Sequence, residues 1–436
     1  MSSHLLEHQP DRDAYRVLGQ RTPSTNKPAF SLRALRASPT TSTAPLEVTA
    51  AEIAAINTPI DVWLPGLITL KNSAQHPVAV LFTPTDSPHD DNFQHLESLH
   101  AAVGVPSAYL LERHQGVTHS FGSTPIAAWL HFLCKAIKLQ QTPTGYRIEG
   151  SNGRDNSWLQ GGWHLSYTKD AATGGYRVLL LTSGQFPELE SRLQVWLLAG
   201  ENLQTVQKDP YALWIPALME AWKFVDDVTW GLVTVFGGME ASIITHSATT
   251  TLEIDYQELH NLAKHIIHLS ESSSAILCSL ESLLSSHGRL FPSSPQVHEG
   301  IEYVRNLFKS TNLRLASLSK KVENTINLTF HIVAQQDSKR GVEANGIMLD
   351  DSATMKVIAC VTMFFLPGTA VATIFGSNFF WMEDGDFSMS GEFWMYWLVA
   401  LPVTLMVYMF WRWSLDLKMI PSWPPRRRRR DSRFGG

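Results

Sequence analysis

The spacing of apolar residues changes along this chain, and each change predicts a different element. Residues 1 to about 55 are rich in Ser, Thr, Pro and Arg and carry few apolar residues at helical or strand spacing, which predicts a segment without fixed structure. From 56 onward short alternating runs dominate: VAVLF at 78–82, HFLCKAIKL at 131–139, and the pair WHLSYTKD and GYRVLLLTS joined by AATG. In that pair Trp163, Leu165 and Tyr167 alternate with His164 and Ser166, and Tyr176, Val178 and Leu180 alternate with their neighbours, which predicts a hairpin. Helical spacing takes over from Tyr211, with Trp214, Leu218, Trp222 and Val225 on one face, and recurs at Leu259, Leu262, Ile266 and Leu269. The pattern predicts an α/β cytosolic domain over 56–250 and a helical stalk over 251–354.

The stalk carries a longer repeat. From Val297 the residues Ile301, Val304, Phe308, Thr311, Leu315, Leu318, Val322, Thr325, Thr329 and Ile332 recur at steps of four and three, a coiled-coil heptad. Such a helix either packs on its own domain or meets copies of itself around an axis, and threonines along the seam are unusual for a dry coiled-coil core. No proline interrupts it before Pro367, so one helix is expected to run on past the weak points Gly341 and Gly346.

Two stretches then lose all charge, Val357 to Phe375 and Phe393 to Trp411. Each spans roughly 28 Å as a helix, close to the ~30 Å hydrocarbon core of a bilayer. Trp394, Tyr396, Trp397, Tyr408, Trp411 and Trp413 cluster on the second as interfacial aromatics do. The run VTWGLVTVFGGM at 228–239 is too short to span and reads as a core helix. Transmembrane helices are therefore expected at 355–376 and 393–413, joined by an acidic loop at 377–392 that holds Glu383, Asp384 and Asp386 and no Lys or Arg. Basic residues flank the pair: Lys356, Arg412, Lys418 and, in the tail 414–436, the cluster Arg426, Arg427, Arg428, Arg429 and Arg430. This asymmetry places the loop outside and both termini in the cytosol. The plasma membrane is the expected location. A basic early segment interrupted by Asp11 and Asp13 makes the mitochondrial inner membrane the alternative.

Continuing the heptad register into the first span gives Met355, Ile358, Thr362, Leu366, Thr369 and Thr373, with Gly376 next in step. Half of that stripe bears hydroxyls. Threonines in membrane helices also bond back to their own backbone, so the stripe alone does not decide its use. Two helices cannot enclose a pore, however, so a polar stripe that borders water requires several chains to pool it, with the bilayer as their common solvent.

Composition removes other classes. The net charge of −5, with 44% apolar and 17% charged residues, argues against a nucleic-acid partner. Three widely separated cysteines, Cys134, Cys278 and Cys360, make no disulfide framework or CxxC pattern. No phosphate loop, activated nucleophile or paired-acid signature points to an enzyme. The richest metal-ligand groupings are the loop SPHDDNFQH, with Asp86, His89, Asp90, Asp91 and His95, and the helical pair His265 and His268.

The segment MKVIACVTMFFLPGTAVATIFGSNFF, preceded by IVAQQDSKR and LDDSAT, resembles the first membrane helix of CorA-type magnesium transporters, especially the branch found in fungi. The resemblance covers about 320–436, roughly a quarter of the chain. It implies a homopentameric channel with a cytosolic α/β domain, a long helix continuous with the pore-lining span, and an outer mouth built from a Gly-Met-Asn triad. On this chain the triad positions are Gly376, Ser377 and Asn378, a variant with Ser377 in the middle, and the implied pore-facing positions are Met355, Ile358, Leu366, Thr369 and Asn378. Hydrated Mg²⁺ would meet Asn378 through its water shell, because this ion gives up water reluctantly. Mg²⁺ is thus the expected cargo, and a regulatory ion as well. Zn²⁺, Co²⁺ or Ni²⁺ transport, or a non-conducting membrane-anchored sensor or scaffold, are the alternatives.

Overall fold

The computed structural model describes residues 7, 9–24, 27–38, 46–142, 145–149, 158–184, 186, 188–246, 256–375, 380–383 and 386–418. It divides into two units, Met1–Phe330 and His331–Gly436.

A seven-stranded mixed sheet organises the first unit. Its strands are β1 (Ser31–Ser38), β2 (Glu47–Ala55), β3 (Val78–Thr83), β4 (Ser120–Ser123), β5 (Ala127–Lys135), β8 (Trp158–Lys169) and β9 (Tyr176–Ser183), in the order β2-β1-β3-β9-β8-β5-β4. A small hairpin, β6 (Leu139–Thr142) with β7 (Gly145–Ile148), stands apart. The central pair β3 and β9 is parallel, and the other pairs are antiparallel. Both faces of the middle strands are buried, which explains their continuous apolar runs: Val78 and Val80 face one core, Ala79 and Leu81 the other. The expected hairpin is present as β8 and β9, with Leu165 opposite Leu180 and Lys169 opposite Tyr176.

Helices cover each face. On one lie α1 (Gln9–Arg21), α2 (Ile60–Asn72), α3 (Phe93–Val103) and α4 (Ser107–His114), whose Tyr15, Trp63, Leu67, Leu96 and Tyr109 fill the smaller core. On the other lie α5 (Leu189–Leu198), α6 (Gly200–Lys208), a 3-10 turn (Pro210–Leu213), α7 (Trp214–His246), α8 (Tyr256–Leu290) and the start of α9 (Pro295–Phe375). The run at 228–239 is interior to α7, with Leu232, Val235 and Phe236 buried.

The N-terminal expectation is corrected by this sheet. In place of a segment without fixed structure over 1–55, the chain forms α1, β1 and β2. The strand β1 escapes a two-residue pattern because both of its faces are covered: Leu32 and Ala34 point to one core, Leu35 and Ala37 to the other. Its arginines reach the margins, where Arg33 pairs with Glu190 at 3.0 Å.

The heptad lies on α9, an 81-residue helix of about 120 Å. Its seam is used inside the chain. Ile301, Val304, Phe308, Leu315, Leu318 and Val322 are buried in the same core as α7 and α8, and Thr311 and Thr329 are buried with them. The helix passes through Gly341 and Gly346 without a break.

In the second unit no described residue of 331–366 is buried within the chain. A helix of that length with no covered face gains little from packing by itself. Beyond it, β10 (Phe380–Glu383) and β11 (Asp386–Met389) pair antiparallel within the expected acidic loop, and α10 (Trp394–Lys418) follows.

Candidate functional site

Among the described residues two helices have the length and apolar composition of membrane spans: α9 through Ile374, and Trp394–Trp413 of α10, with only 11% and 6% of their most apolar windows buried. They pack through one side of α9. Pro367 and Val371 are buried there, and Cys360, Met363 and Gly368 are half-buried. From α10, Ala400 is buried, Tyr396 donates its hydroxyl to the Gly368 carbonyl at 3.3 Å, and Tyr408 stacks on Phe364 at 6.0 Å between centroids.

The predicted stripe lies on the opposite side. At 100° per residue Met355, Ile358, Thr362, Leu366, Thr369 and Thr373 fall within an arc of about 80°. All six are exposed, with Met355 at 71% and Leu366 at 64%. Each threonine hydroxyl donates to its own helix: Thr362 to Ile358 O at 2.8 Å, Thr369 to Phe365 O at 3.0 Å and Leu366 O at 2.9 Å, Thr373 to Thr369 O at 2.7 Å. With the proton so committed, the oxygen's lone pairs face outward, and between the apolar Met355, Ile358 and Leu366 the threonines of the stripe present acceptors. Water molecules that surround a cation point their protons away from it, so such a surface matches a hydrated cation and mismatches a hydrated anion.

The same register reaches two residues that the sequence reading did not place on the stripe. Asp351 and Met348 fall one and two turns before Met355 on the same arc, and both are exposed. The signal was available: stepping the heptad back from Met355 by four and then three reaches them.

Several predicted residues lie outside the described ones. These are Gly376, Ser377 and Asn378, Asp384, and Arg426 to Arg430. Glu383 and Asp386 are described as backbone, and they are register partners at the turn end of the β10–β11 hairpin.

The ligand-rich loop between β3 and α3 is divided by the fold. Asp86 turns inward, where it accepts from Tyr109 Oη at 2.5 Å and Arg113 Nη2 at 2.6 Å. Arg113 also donates to His131 Nδ1 at 2.9 Å, which leaves the His131 proton on Nε2, 3.3 Å from Glu112. Burial alone would raise the Asp86 carboxyl; the Arg113 charge and the Tyr109 and Arg113 hydrogen bonds outweigh it and bring it down to about 2. Gly162 makes room for this network, because a Cβ there would collide with the Tyr109 hydroxyl and the Asp86 carboxylate. His95 bonds the Thr58 carbonyl at 3.1 Å and stacks beside Phe30, so it too leaves the group. His89, Asp90 and Asp91 stay together. His265 is held down to about 4 by burial and by nearby Lys135 and His268, whose ring packs edge-on against Trp158.

No family model matches the chain. A stretch of 162 residues is 30% identical to the Notoamide biosynthesis cluster protein M' of Aspergillus versicolor; it is 36% of this chain, which spans about a third (32%) of that relative's length. Among solved structures, the chain is similar to the CorA magnesium transporter of Methanocaldococcus jannaschii at 12% identity, over 87% of this chain and 97% of that one, with a TM-score of 0.40. It is similar to the full-length CmaX protein at 12% identity, 89% and 97% coverage and a TM-score of 0.45. For the ZntB cytoplasmic domain of Vibrio parahaemolyticus RIMD 2210633 the values are 10%, 69%, 99% and 0.32. Likenesses this distant add nothing to the geometry, which stands by itself.

Proposed function

We propose that the chain is one subunit of an oligomeric membrane channel that passes hydrated divalent cations, with Mg²⁺ as the favoured cargo and five as the expected number of subunits. The observation that carries this reading is the stripe on α9, whose six residues are all exposed, whose threonines present acceptors, and which lies away from the side where Pro367 and Val371 are buried, with Thr369 at the edge of the cleft to α10. In lipid such a stripe is wasted, whereas around a shared axis it borders water. Asn378 and Gly376 at its outer end supply oxygens for the ion's water shell, consistent with an ion that demands octahedral geometry and dehydrates slowly. Leu366, Ile358 and Met355 form apolar rings that close by dewetting. Acidic Glu383, Asp384 and Asp386 at the mouth, multiplied by the subunits, concentrate cations there, and the membrane potential supplies about 2.3 kcal/mol per charge per 100 mV, about twice that for a dication.

Uptake into proteoliposomes that enclose a Mg²⁺-sensitive dye tests the reading. A potassium-diffusion potential, negative inside, should drive Mg²⁺ entry that Asn378→Ala reduces to the rate of empty vesicles. Absence of flux in the parent protein would leave an anchored sensor or scaffold. Faster flux of Zn²⁺, Co²⁺ or Ni²⁺ than of Mg²⁺ would change the cargo and keep the channel.

A further inference from the structure

We propose that the loop between β3 and α3 is a binding site for a transition-metal dication of the Zn²⁺, Co²⁺, Ni²⁺ class, with His89 Nδ1 and the carboxylates of Asp90 and Asp91 as its ligands. The inference is independent of the channel reading.

His89 decides it. The residue is 1% exposed, and its Nε2 lies 3.3 Å from the Pro28 carbonyl oxygen. A carbonyl only accepts, so Nε2 carries the proton and Nδ1 keeps its lone pair. That Nδ1 is buried and has no hydrogen-bond partner among the described residues, a costly state for a ring nitrogen. It lies 3.9 Å from Asp90 Oδ1, and the donor atoms of His89, Asp90 and Asp91 all lie within 4.8 Å of one another. An imidazole whose far nitrogen donates to a backbone carbonyl, while its bare nitrogen faces carboxylates, has the orientation that metal-ligating histidines adopt.

Two aspartates just before α3 have a simpler use, since acids favour the positive end of a helix. That accounts for Asp90 and Asp91 and leaves the lone pair of His89 unexplained. The loop is also held firmly. His89 N donates to Asn92 Oδ1 at 2.8 Å, Asp90 N to Thr22 O at 2.9 Å, Asp91 N to Asp90 Oδ1 at 3.0 Å, and Phe93 N to His89 O at 3.0 Å. A metal about 2.1 Å from each ligand in tetrahedral geometry asks for a separation of about 3.4 Å. Asp90, half exposed, must therefore close on His89 by about 0.5 Å, and the most separated pair of the three by up to about 1.4 Å, movements open to the exposed carboxylates of Asp90 and Asp91. One imidazole with two carboxylates suits zinc, cobalt and nickel, whereas Mg²⁺ prefers oxygen alone. Water completes the shell, so the ion is exchangeable. Bound there, it fastens the α1–β1 connection, through Pro28 and Thr22, to the loop that sends Asp86 into the buried network.

The test uses the full chain without an affinity tag, in detergent, stripped with a chelator and dialysed against Zn²⁺ or, for visible absorption, Co²⁺. The parent should bind one more Zn²⁺ per chain than the variant Asp90→Asn with Asp91→Asn, whose affinity at this site falls at least tenfold, and a hundredfold excess of Mg²⁺ should not displace the ion. Far-UV circular dichroism checks that the double variant is folded, and Asp91→Asn alone serves if it is not. Equal zinc binding in parent and variant, no zinc binding by the parent, or displacement by Mg²⁺ at equal concentration overturns the proposal.

Discussion

Thr311 on α9 donates its hydroxyl to Asp226 Oδ1 on α7 at 2.7 Å and accepts the indole N–H of Trp222 at 3.1 Å. A residue on the heptad seam is thereby spent inside its own chain. Thr311 is polar because it meets polar partners of the same domain, whereas Thr329, also buried, bonds back to Thr325 O of its own helix at 2.5 Å. Coiled-coil pairing with a second copy through 297–329 would have to break these contacts. In the channel proposed above, copies would therefore meet through surfaces other than this seam, such as the uncovered length of α9 from 331 on.

Replacing Thr311 by Val should accordingly lower the thermal midpoint without changing the oligomer. The change orphans the Trp222 N–H and removes a donor from Asp226, a loss of about 1–3 kcal/mol. Thermal unfolding followed by tryptophan fluorescence reads the first effect, and light scattering in detergent the second. A fall in subunit number would mean that the seam holds copies together after all.

A second buried pair sets a larger effect. His287 Nε2 lies 2.8 Å from Asp209 Oδ2, both residues are 1% exposed, and His287 Nδ1 meets His298 Nδ1 at 3.1 Å. Truncation by His287→Ala strands the Asp209 carboxylate in the core, where removing one partner of a buried pair costs about 3–5 kcal/mol. The double change Asp209→Asn with His287→Ala should recover part of that loss. If the single variant unfolds within about 1 kcal/mol of the parent, the site admits water and the burial argument fails.

Acid should destabilise the sheet domain earlier than its carboxylates predict. His100 and His164 are buried, and neither ring nitrogen of either residue has a hydrogen-bond partner among the described residues. Burial brings His164 down to about 3, helped by His100 and Lys71, and brings His100 down to about 4 against the pull of Asp86. The unfolded chain takes up these protons from about pH 6.5 downward while the folded chain does not, so stability falls as pH drops from about 6.5 toward 4, by up to about 1.4 kcal/mol per unit per histidine. Asp86 adds its own loss only below about pH 4. Thermal midpoints at pH 7.5, 6.0 and 5.0 should decline, and His164→Leu should flatten the decline. A flat parent profile would show that these rings are hydrated.

Asp351 is exposed one turn before Met355 on the stripe. In the channel proposed above it would stand at the cytosolic end, where a ring of such carboxylates would hold cations at the inner mouth. In the liposome assay Asp351→Asn should slow Mg²⁺ entry several-fold at low ionic strength and less at high salt, because screening removes the same attraction. Unchanged rates at low salt would place Asp351 away from the ion path.

What the amino-acid pattern revealed follows the physics of each element. Strands whose apolar and polar residues alternate, such as Trp163 to Tyr167 in β8, were legible even though the polar His164 is itself buried, and so were helices with a single apolar face, such as Leu259 to Leu269 in α8. The strand β1 was not, because burial on both faces and small alanines erase alternation. The stripe from Met355 to Thr373 was legible as a period, although its hydroxyl bonding needed the backbone. The inward turn of Asp86 was hidden, since its partners Tyr109 and Arg113 come from α4, on a different element. The fate of the heptad was ambiguous for a similar reason: a seam looks the same whether its partner is α7 or another copy.

The most direct measurement is cysteine accessibility across the first span. In a chain with Cys134, Cys278 and Cys360 replaced by Ala, single cysteines at 362, 369 and 373 should react with a charged, membrane-impermeant thiol reagent in proteoliposomes, with Mg²⁺ slowing the reaction, while cysteines at 364 and 371 stay unmodified. Labelling at 364 and 371 with protection at 362, 369 and 373 would mean that lipid, not water, faces the threonines.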